Sequence, residues 1–258
     1  MLLIVTRPLA QATGWVHELQ ALGAHAQALP LIEIAPAADP EPVRQAWRRL
    51  PRFDLVMFVS ANAVAQFFAL TPPGARWPAD LQAASTGPGT SAALRAAGVP
   101  AVQIVEPAAD ATSFDSEALW AQLAARDWAG RNALVVRGEQ GRDWLAEQLR
   151  ERGATVEFVA AYRRQPPVLD GAGAALLARA LAQPQAHLWL FSSSEAVAQL
   201  PSLAPHAHWQ PSRAIASHAR IAQAARGIGF GQVELVPPTP ALVAQRAVVW
   251  PSLQSAAS

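Results

Sequence analysis

Six short polar segments carry most of the chemistry this chain could perform. They are Thr6-Arg7-Pro8, Ser60-Ala61-Asn62, Thr86-Gly87-Pro88-Gly89-Thr90, Arg137-Gly138, Ser192-Ser193-Ser194 and Ser217-His218. Hydroxyls and free backbone N–H groups at the start of a helix bind anions, because the first turn has unsatisfied donors and the helix dipole is positive there. Arginine adds two parallel hydrogen bonds to a carboxylate. Together the six segments predict a surface for carboxylate or phosphate groups. Each residue also has a plainer alternative: Ser60, Ser194 and Thr86 could simply cap helices, and Arg7 and Arg137 could pair with surface acids. The run Thr86 to Thr90 is not a dinucleotide fingerprint, because its glycine spacing is wrong and no acidic residue follows at the required distance.

Tyr162 is the only tyrosine. It follows an expected strand at Val156 to Val159 and precedes Pro166-Pro167. A phenol there could give a proton or a hydrogen bond to a ligand; the alternative is a half-buried residue at a hinge.

Other chemistries are excluded by composition. There is no cysteine, which removes thiolate catalysis, disulfides and cysteine metal sites. All 20 basic residues are arginine, which removes Schiff-base chemistry and a lysine-bearing phosphate loop. His206 and His208 share a face of an expected extended stretch, but no third ligand follows at metal spacing, so no metal site is expected. Trp15, Trp120 and Trp144 read as packing residues on helices.

The elements that must position these groups follow from the apolar pattern. Leu2 to Val5, Leu55 to Val59, Leu134 to Val136 and Leu188 to Phe191 read as buried strands. Trp15, Leu19 and Leu22 share a helical face that Gly23 ends, and Ala63 to Leu70 reads as another helix. Buried strands alternating with helices imply parallel sheets with crossover helices, an α/β fold. The pattern also repeats. Phe58 to Phe67 (FVSANAVAQF) returns as Phe191 to Leu200 (FSSSEAVAQL), and Arg95, Gly98, Val102, Val105 and Pro107 return as Arg226, Gly229, Val233, Val236 and Pro238. Val5, Arg7, Gly23 and Ala24 return as Val135, Arg137, Gly153 and Ala154. Three matches in order predict an internal duplication. Taken alone, the repeat suggests a cut near residue 126. Ligands of open parallel sheets bind at the carboxyl ends of the strands, where all six polar segments fall, so a cleft between two lobes is the expected site.

The formal net charge is +1, which gives no electrostatic reason for a nucleic-acid or membrane partner. Met1 to Val5 is too short for a signal-peptide core, and no apolar run reaches the roughly 18 residues of a membrane span. A cytoplasmic protein is expected.

Read in order, Thr6-Arg7-Pro8, Phe58 to Val64, Gly87-Pro88-Gly89-Thr90, Tyr162, Phe191 to Val197 and Pro238-Thr239-Pro240 resemble the uroporphyrinogen-III synthase family along essentially the whole chain. The resemblance implies two flavodoxin-like parallel-sheet domains, one made of residues 1–34 and 168–258 and one of 38–164, joined by linker strands at 32–37 and 161–167. It implies a lyase that needs no cofactor. Hydroxymethylbilane would close to uroporphyrinogen III with loss of water and inversion of the last ring, through azafulvene and spiro intermediates. The substrate's carboxylates would meet Thr6, Arg7, Ser60, Asn62, Thr86, Gly87, Thr90, Arg137, Gly138, Ser192, Ser193, Ser194, Ser217, His218 and Thr239. Tyr162 would assist departure of the hydroxyl. The family's second Gly-Pro-Thr-Thr-like turn is here Ser217-His218-Ala219-Arg220, with His218 in place of a glycine. The expected state is a monomer whose partner is its small-molecule substrate, with transient contact with the preceding pathway enzyme as a further expectation. The alternative from another class is a non-catalytic, two-lobed cytosolic binding protein for a polycarboxylate ligand.

Overall fold

A computed structural model describes residues 1–111 and 113–250. The chain divides into two compact units: Met1–Glu33 together with the chain from Gln165 onward, and Ile34–Arg164.

The first unit holds a five-stranded sheet. Its strands are β1 (Leu2–Val5), β2 (Ala26–Ala28), β9 (His187–Phe191), β10 (Arg213–Ala216) and β11 (Gln232–Leu235), in the spatial order β11-β10-β9-β1-β2, and every neighbouring pair is parallel. Helices α1 (Leu9–Ala21), α7 (Gly171–Ala182), α8 (Ser194–Leu203), α9 (Ala219–Gly227) and α10 (Pro240–Val249) belong to this unit. Leu3, Val5, Leu188, Leu190 and Ile215 form one core with Leu19 of α1 and Val243 of α10. Trp189 and Phe191 alternate to the opposite face, where they meet Trp209 and Phe230.

The second unit holds a six-stranded sheet in the order β3-β8-β7-β4-β5-β6. Its strands are β3 (Glu33–Pro36), β4 (Leu55–Phe58), β5 (Gln82–Ser85), β6 (Ile104–Val105), β7 (Asn132–Gly138) and β8 (Thr155–Gln165). The β8-β7-β4-β5-β6 pairs are all parallel. Helices α2 (Glu41–Arg49), α3 (Ala61–Phe68), α4 (Pro88–Ala96), α5 (Ser116–Leu123) and α6 (Trp144–Glu151) flank it. All four residues of β4 are buried. Val56 and Phe58 enter a core with Trp47, Phe67 and Leu94, while Leu55 and Met57 enter another with Leu119, Trp128 and Leu149. Period-two alternation with both faces covered explains why the strand reads as an unbroken apolar run.

Four local expectations are corrected. The helix expected at Ala63 to Leu70 runs over Ala61–Phe68, because the Ser60 side chain caps it two residues earlier. Leu22 is 52% exposed: it lies just past the end of α1, where Gly23 turns the chain at φ 81°. His206 lies in a turn and His208 in the unassigned chain between α8 and β10, so neither is part of a strand. Tyr162 lies inside β8, which continues six residues past Val159. Trp15, Trp120 and Trp144 do pack partly buried against the cores.

Among the described residues, no helix is long and apolar enough to cross a membrane, and no group of three or more His, Asp or Glu side chains is placed to hold a metal ion.

Candidate functional site

In the second unit the carboxyl ends of β4, β5 and β7 and a bulge within β8 bring Ser60, Thr86, Gly138 and Tyr162 together. β8 is irregular at this point. Arg137 pairs with Ala160 but Gly138 pairs with Tyr162, so Ala161 is an extra residue in the ladder. An inserted residue shifts the strand's alternation by one. Ala161 and Tyr162 therefore both join the core that already holds Val159. The freed amide of Glu139 finds the Tyr162 carbonyl at 3.1 Å, and the Ala161 carbonyl accepts from Ala37 at 3.3 Å.

The bulge sends the Tyr162 side chain under the start of α3. The residue is only 2% exposed, which excludes the half-buried reading. Its ring lies against the Gly138 backbone, so closely that a β-carbon on Gly138 would stand 3.0 Å from ring atoms Cε2 and Cζ. Its hydroxyl is 3.3 Å from Ser60 Oγ. Ser60, partly exposed, also accepts the Ala63 N–H at 3.2 Å as the cap of α3. For Ser60 the capping reading holds, and the same oxygen meets the Tyr162 hydroxyl.

The neighbouring loop is bound in from several sides. Thr86 does not cap a helix; its Oγ1 donates to the Val59 carbonyl at 3.3 Å. Gly87 stands at the cap of α4, with Thr90 buried in the first turn. Below them the Ser85 and Ser91 hydroxyls meet at 2.6 Å. Asn62 lies partly exposed in the first turn of α3. Phe114, 53% exposed, rests on Gly87, where an added β-carbon would meet the Phe114 Cβ at 2.9 Å. Neither Phe114 nor the Ser85–Ser91 pair was expected from the sequence. Their spacing matches no motif, and only the folded loop brings them to the start of α4.

The two arginines at repeat-equivalent positions have different surroundings. Arg137 ion-pairs with Asp143 and stacks over the Phe158 ring at 4.2 Å, so the surface-pair alternative holds for it. Arg7 stacks over Trp15 at 4.4 Å, and its Nη1 reaches Gln11 Oε1 at 3.5 Å. Its Nε is buried and has no hydrogen-bond partner among the described residues. Burial holds the Arg7 guanidinium below the ordinary arginine range. A cation at the carboxyl end of β1 with no carboxylate partner among the described residues suits an incoming carboxylate.

The remaining first-unit candidates line the same edge of its sheet. Thr6 is fully buried and donates to the Leu190 carbonyl at 2.7 Å, so its side chain ties β1 to β9 and is turned away from any ligand. Ser193 caps α8, accepting the Glu195 N–H at 3.2 Å. Ser194, expected as a possible cap, is instead the first residue of α8, and its buried Oγ has no partner among the described residues. Ser192 is partly exposed beside them. Ser217 Oγ lies 2.9 Å from His218 Nδ1, and His218 stands exposed at the cap of α9. Thr239 caps α10 through the Leu242 N–H at 3.5 Å.

A cavity of about 620 Å³ in the second unit lies at the opposite, amino-terminal edge of β4, β5 and β7, between Phe53, Leu81, Gln82, Arg126, Trp128 and Arg131. None of the candidate residues lines it.

Fold and loops define the class: an α/β protein of parallel sheets with hydroxyl-bearing loops at the strands' carboxyl ends. The model of the uroporphyrinogen-III synthase HemD family matches residues 14–244. The uroporphyrinogen-III synthase of Salmonella typhimurium is 32% identical over 240 residues, covering 91% of this chain and 94% of that protein. The Escherichia coli protein of the same name is 30% identical over 242 residues, covering 91% and 94%. Among solved structures, uroporphyrinogen-III synthetase from Helicobacter pylori superposes with a TM-score of 0.58 at 16% identity, covering 98% of this chain and all of that one. A mutant uroporphyrinogen III synthase from Thermus thermophilus superposes with a TM-score of 0.56 at 20% identity, covering 99% and 100%. The chain belongs to the uroporphyrinogen-III synthase family.

Proposed function

We propose that the chain converts hydroxymethylbilane into uroporphyrinogen III, a step of porphyrin and haem biosynthesis, with loss of water and inversion of the last pyrrole ring. The observation that carries this reading is the family match across residues 14–244. The pyrrole nitrogens are electron-rich enough to expel the substrate's hydroxyl once it is hydrogen-bonded. The resulting azafulvene is attacked by the substituted carbon of the last ring, and the spiro intermediate fragments and recloses with that ring turned over. Spontaneous closure yields the other isomer, so the protein's contribution is to hold the chain in the conformation that reaches the spiro carbon. That demand suits many neutral donors and no strong acid–base pair.

Arg7, the free N–H groups opening α3, α4, α8 and α9, and the hydroxyls of Ser192, Ser193 and Ser217 are the groups we assign to the substrate's carboxylates. Tyr162 and Ser60 are the hydroxyls we assign to the leaving group. We further propose that the two units descend from one flavodoxin-like ancestor. The order β2-β1-β9-β10-β11 in one sheet matches β8-β7-β4-β5-β6 in the other, and the repeated sequences fall on corresponding strands. On that reading residues 32–37 and 161–167 are the two crossings between the units.

The test is product analysis. The protein is incubated with hydroxymethylbilane, and the oxidised products are separated into type I and type III isomers. Type III in excess supports the synthase; type I alone, at the spontaneous rate, refutes it.

A further inference from the structure

Only one of the two paired hydroxyls is open to a ligand. Tyr162 is 2% exposed, whereas Ser60 is partly exposed at the carboxyl end of β4. Ser60 Oγ is the one hydrogen-bond partner of the Tyr162 phenol among the described residues, at 3.3 Å. A buried phenol that kept its proton unshared would pay the full desolvation cost of that donor, so the phenol O–H donates to Ser60 Oγ. A serine oxygen has two acceptor positions and one proton. The Ala63 N–H occupies one acceptor position at 3.2 Å and Tyr162 the other. The Ser60 proton is then directed away from both, with no acceptor among the described residues competing for it.

We propose, building on the synthase reading, that Ser60 is the catalytic residue that meets the departing hydroxyl, and that Tyr162 is a positioning residue acting through it. The C–O bond of the hydroxymethyl group breaks and the hydroxide leaves as water with the Ser60 proton. Ser60 takes the Tyr162 proton in turn. The free α-carbon of the last ring sheds a proton when the macrocycle closes, and that proton restores the pair. Gly138 completes the device: without a side chain it lets the ring lie close enough to hold the phenol under Ser60.

The experiment compares steady-state rates of type III formation by the wild-type chain, Ser60→Gly, Ser60→Thr, Tyr162→Phe and the Ser60→Gly/Tyr162→Phe double variant. Glycine at a helix cap is tolerated nearly as well as serine, so Ser60→Gly removes the hydroxyl with little cost to the fold. Its kcat should fall by about tenfold to 10²-fold with KM little changed, at or below the low end of general-acid effects, because the substrate's own nitrogens push the leaving group out. Tyr162→Phe should lose only about two- to tenfold, the worth of one neutral hydrogen bond. The double variant should match Ser60→Gly, because Tyr162 has no route to the substrate except through Ser60. Ser60→Thr, which keeps the hydroxyl, should recover most of the loss. The assignment is overturned if Tyr162→Phe is the more damaging single change, if the two losses multiply, if the loss falls on KM alone, or if Ser60→Gly turns over like wild type. A wild-type chain that makes no type III isomer would instead remove the synthase reading itself.

Discussion

Gly138→Ala tests the seat of Tyr162 directly. The new β-carbon would stand 3.0 Å from Tyr162 Cε2 and Cζ and 3.4 Å from its oxygen. Carbon atoms in comfortable contact are about 3.5–4.0 Å apart, so the ring must retreat by roughly 0.5 Å. It has little room to do so, being buried in a core with Phe58, Val64 and Val159. Gly138 is not among the glycines with positive φ, so the backbone adds no strain and the cost is steric. Overpacking of this kind costs about 1–3 kcal/mol. The gain from replacing a strand glycine, about 0.5–1 kcal/mol, offsets part of it. The net expectation is a loss of about 1–2 kcal/mol. With a urea slope of about 2 kcal/mol/M, that moves the unfolding midpoint down by roughly 0.5–1 M. The Ser60–Tyr162 contact, already 3.3 Å, would lengthen towards the limit of a hydrogen bond. Turnover should therefore fall together with stability. In a Tyr162→Val background the ring is gone, and Gly138→Ala should be neutral or mildly stabilising. A midpoint unchanged in the wild-type background, or the same loss with and without the ring, would refute the steric argument.

Three further outcomes are expected. Arg7→Gln should raise KM for hydroxymethylbilane by about tenfold, the worth of a charge-assisted hydrogen bond of about 1.5 kcal/mol; it should lower stability by no more than about 1 kcal/mol, because its partners among the described residues are the Trp15 ring and Gln11 and no carboxylate. Asp143→Asn should change stability by less than about 1 kcal/mol in urea unfolding, since its ion pair with Arg137 is partly solvent-exposed. Asp115 caps α5, and the Ala118 N–H holds its carboxyl below the usual carboxylate range against the opposing effect of burial. A depressed folded-state pKa means that its stabilisation is complete above about pH 4, the unfolded value. It is lost as the pH falls through the folded value. Asp115→Asn should therefore flatten the acid limb of a stability–pH profile and leave the neutral limb nearly unchanged.

The parallel sheets were legible because apolar strands covered on both faces leave unbroken runs such as Leu55 to Phe58, and Gly23 and Gly153 mark helix ends by their positive φ. Four of the six polar segments were legible because each follows such a run directly; those at Thr86 and Ser217 follow β5 and β10, whose strands Gln82–Ser85 and Arg213–Ala216 leave no unbroken apolar run. Helix starts were less so: Ser60 and Ser193 begin their helices through side-chain caps whose geometry depends on neighbouring backbone. The apolar pattern did not show the extent of β8, because its last residues include Arg163, Arg164 and Gln165; only the family resemblance implied a strand there, at 161–167.

By itself the sequence determined the chemistry available to this protein and its order along the chain. Without cysteine or lysine the reactive groups are hydroxyls, imidazoles, carboxylates and guanidinium groups, and periodicity assigns six short polar segments of them to strand ends. Only the tertiary structure decided which of these groups act together. Arg7 and Arg137 are equivalent in the repeat, yet Asp143, six residues beyond Arg137, neutralises one and leaves no counterpart for the other. Thr6 looks like Ser60 in the sequence, but its hydroxyl is turned inward to the Leu190 carbonyl. The direction in which Tyr162 points depends on one extra residue in β8, pairing across to Gly138. A strand's two faces differ by a single step in register, and that step is set by the neighbouring strand, which lies outside the reach of any local pattern.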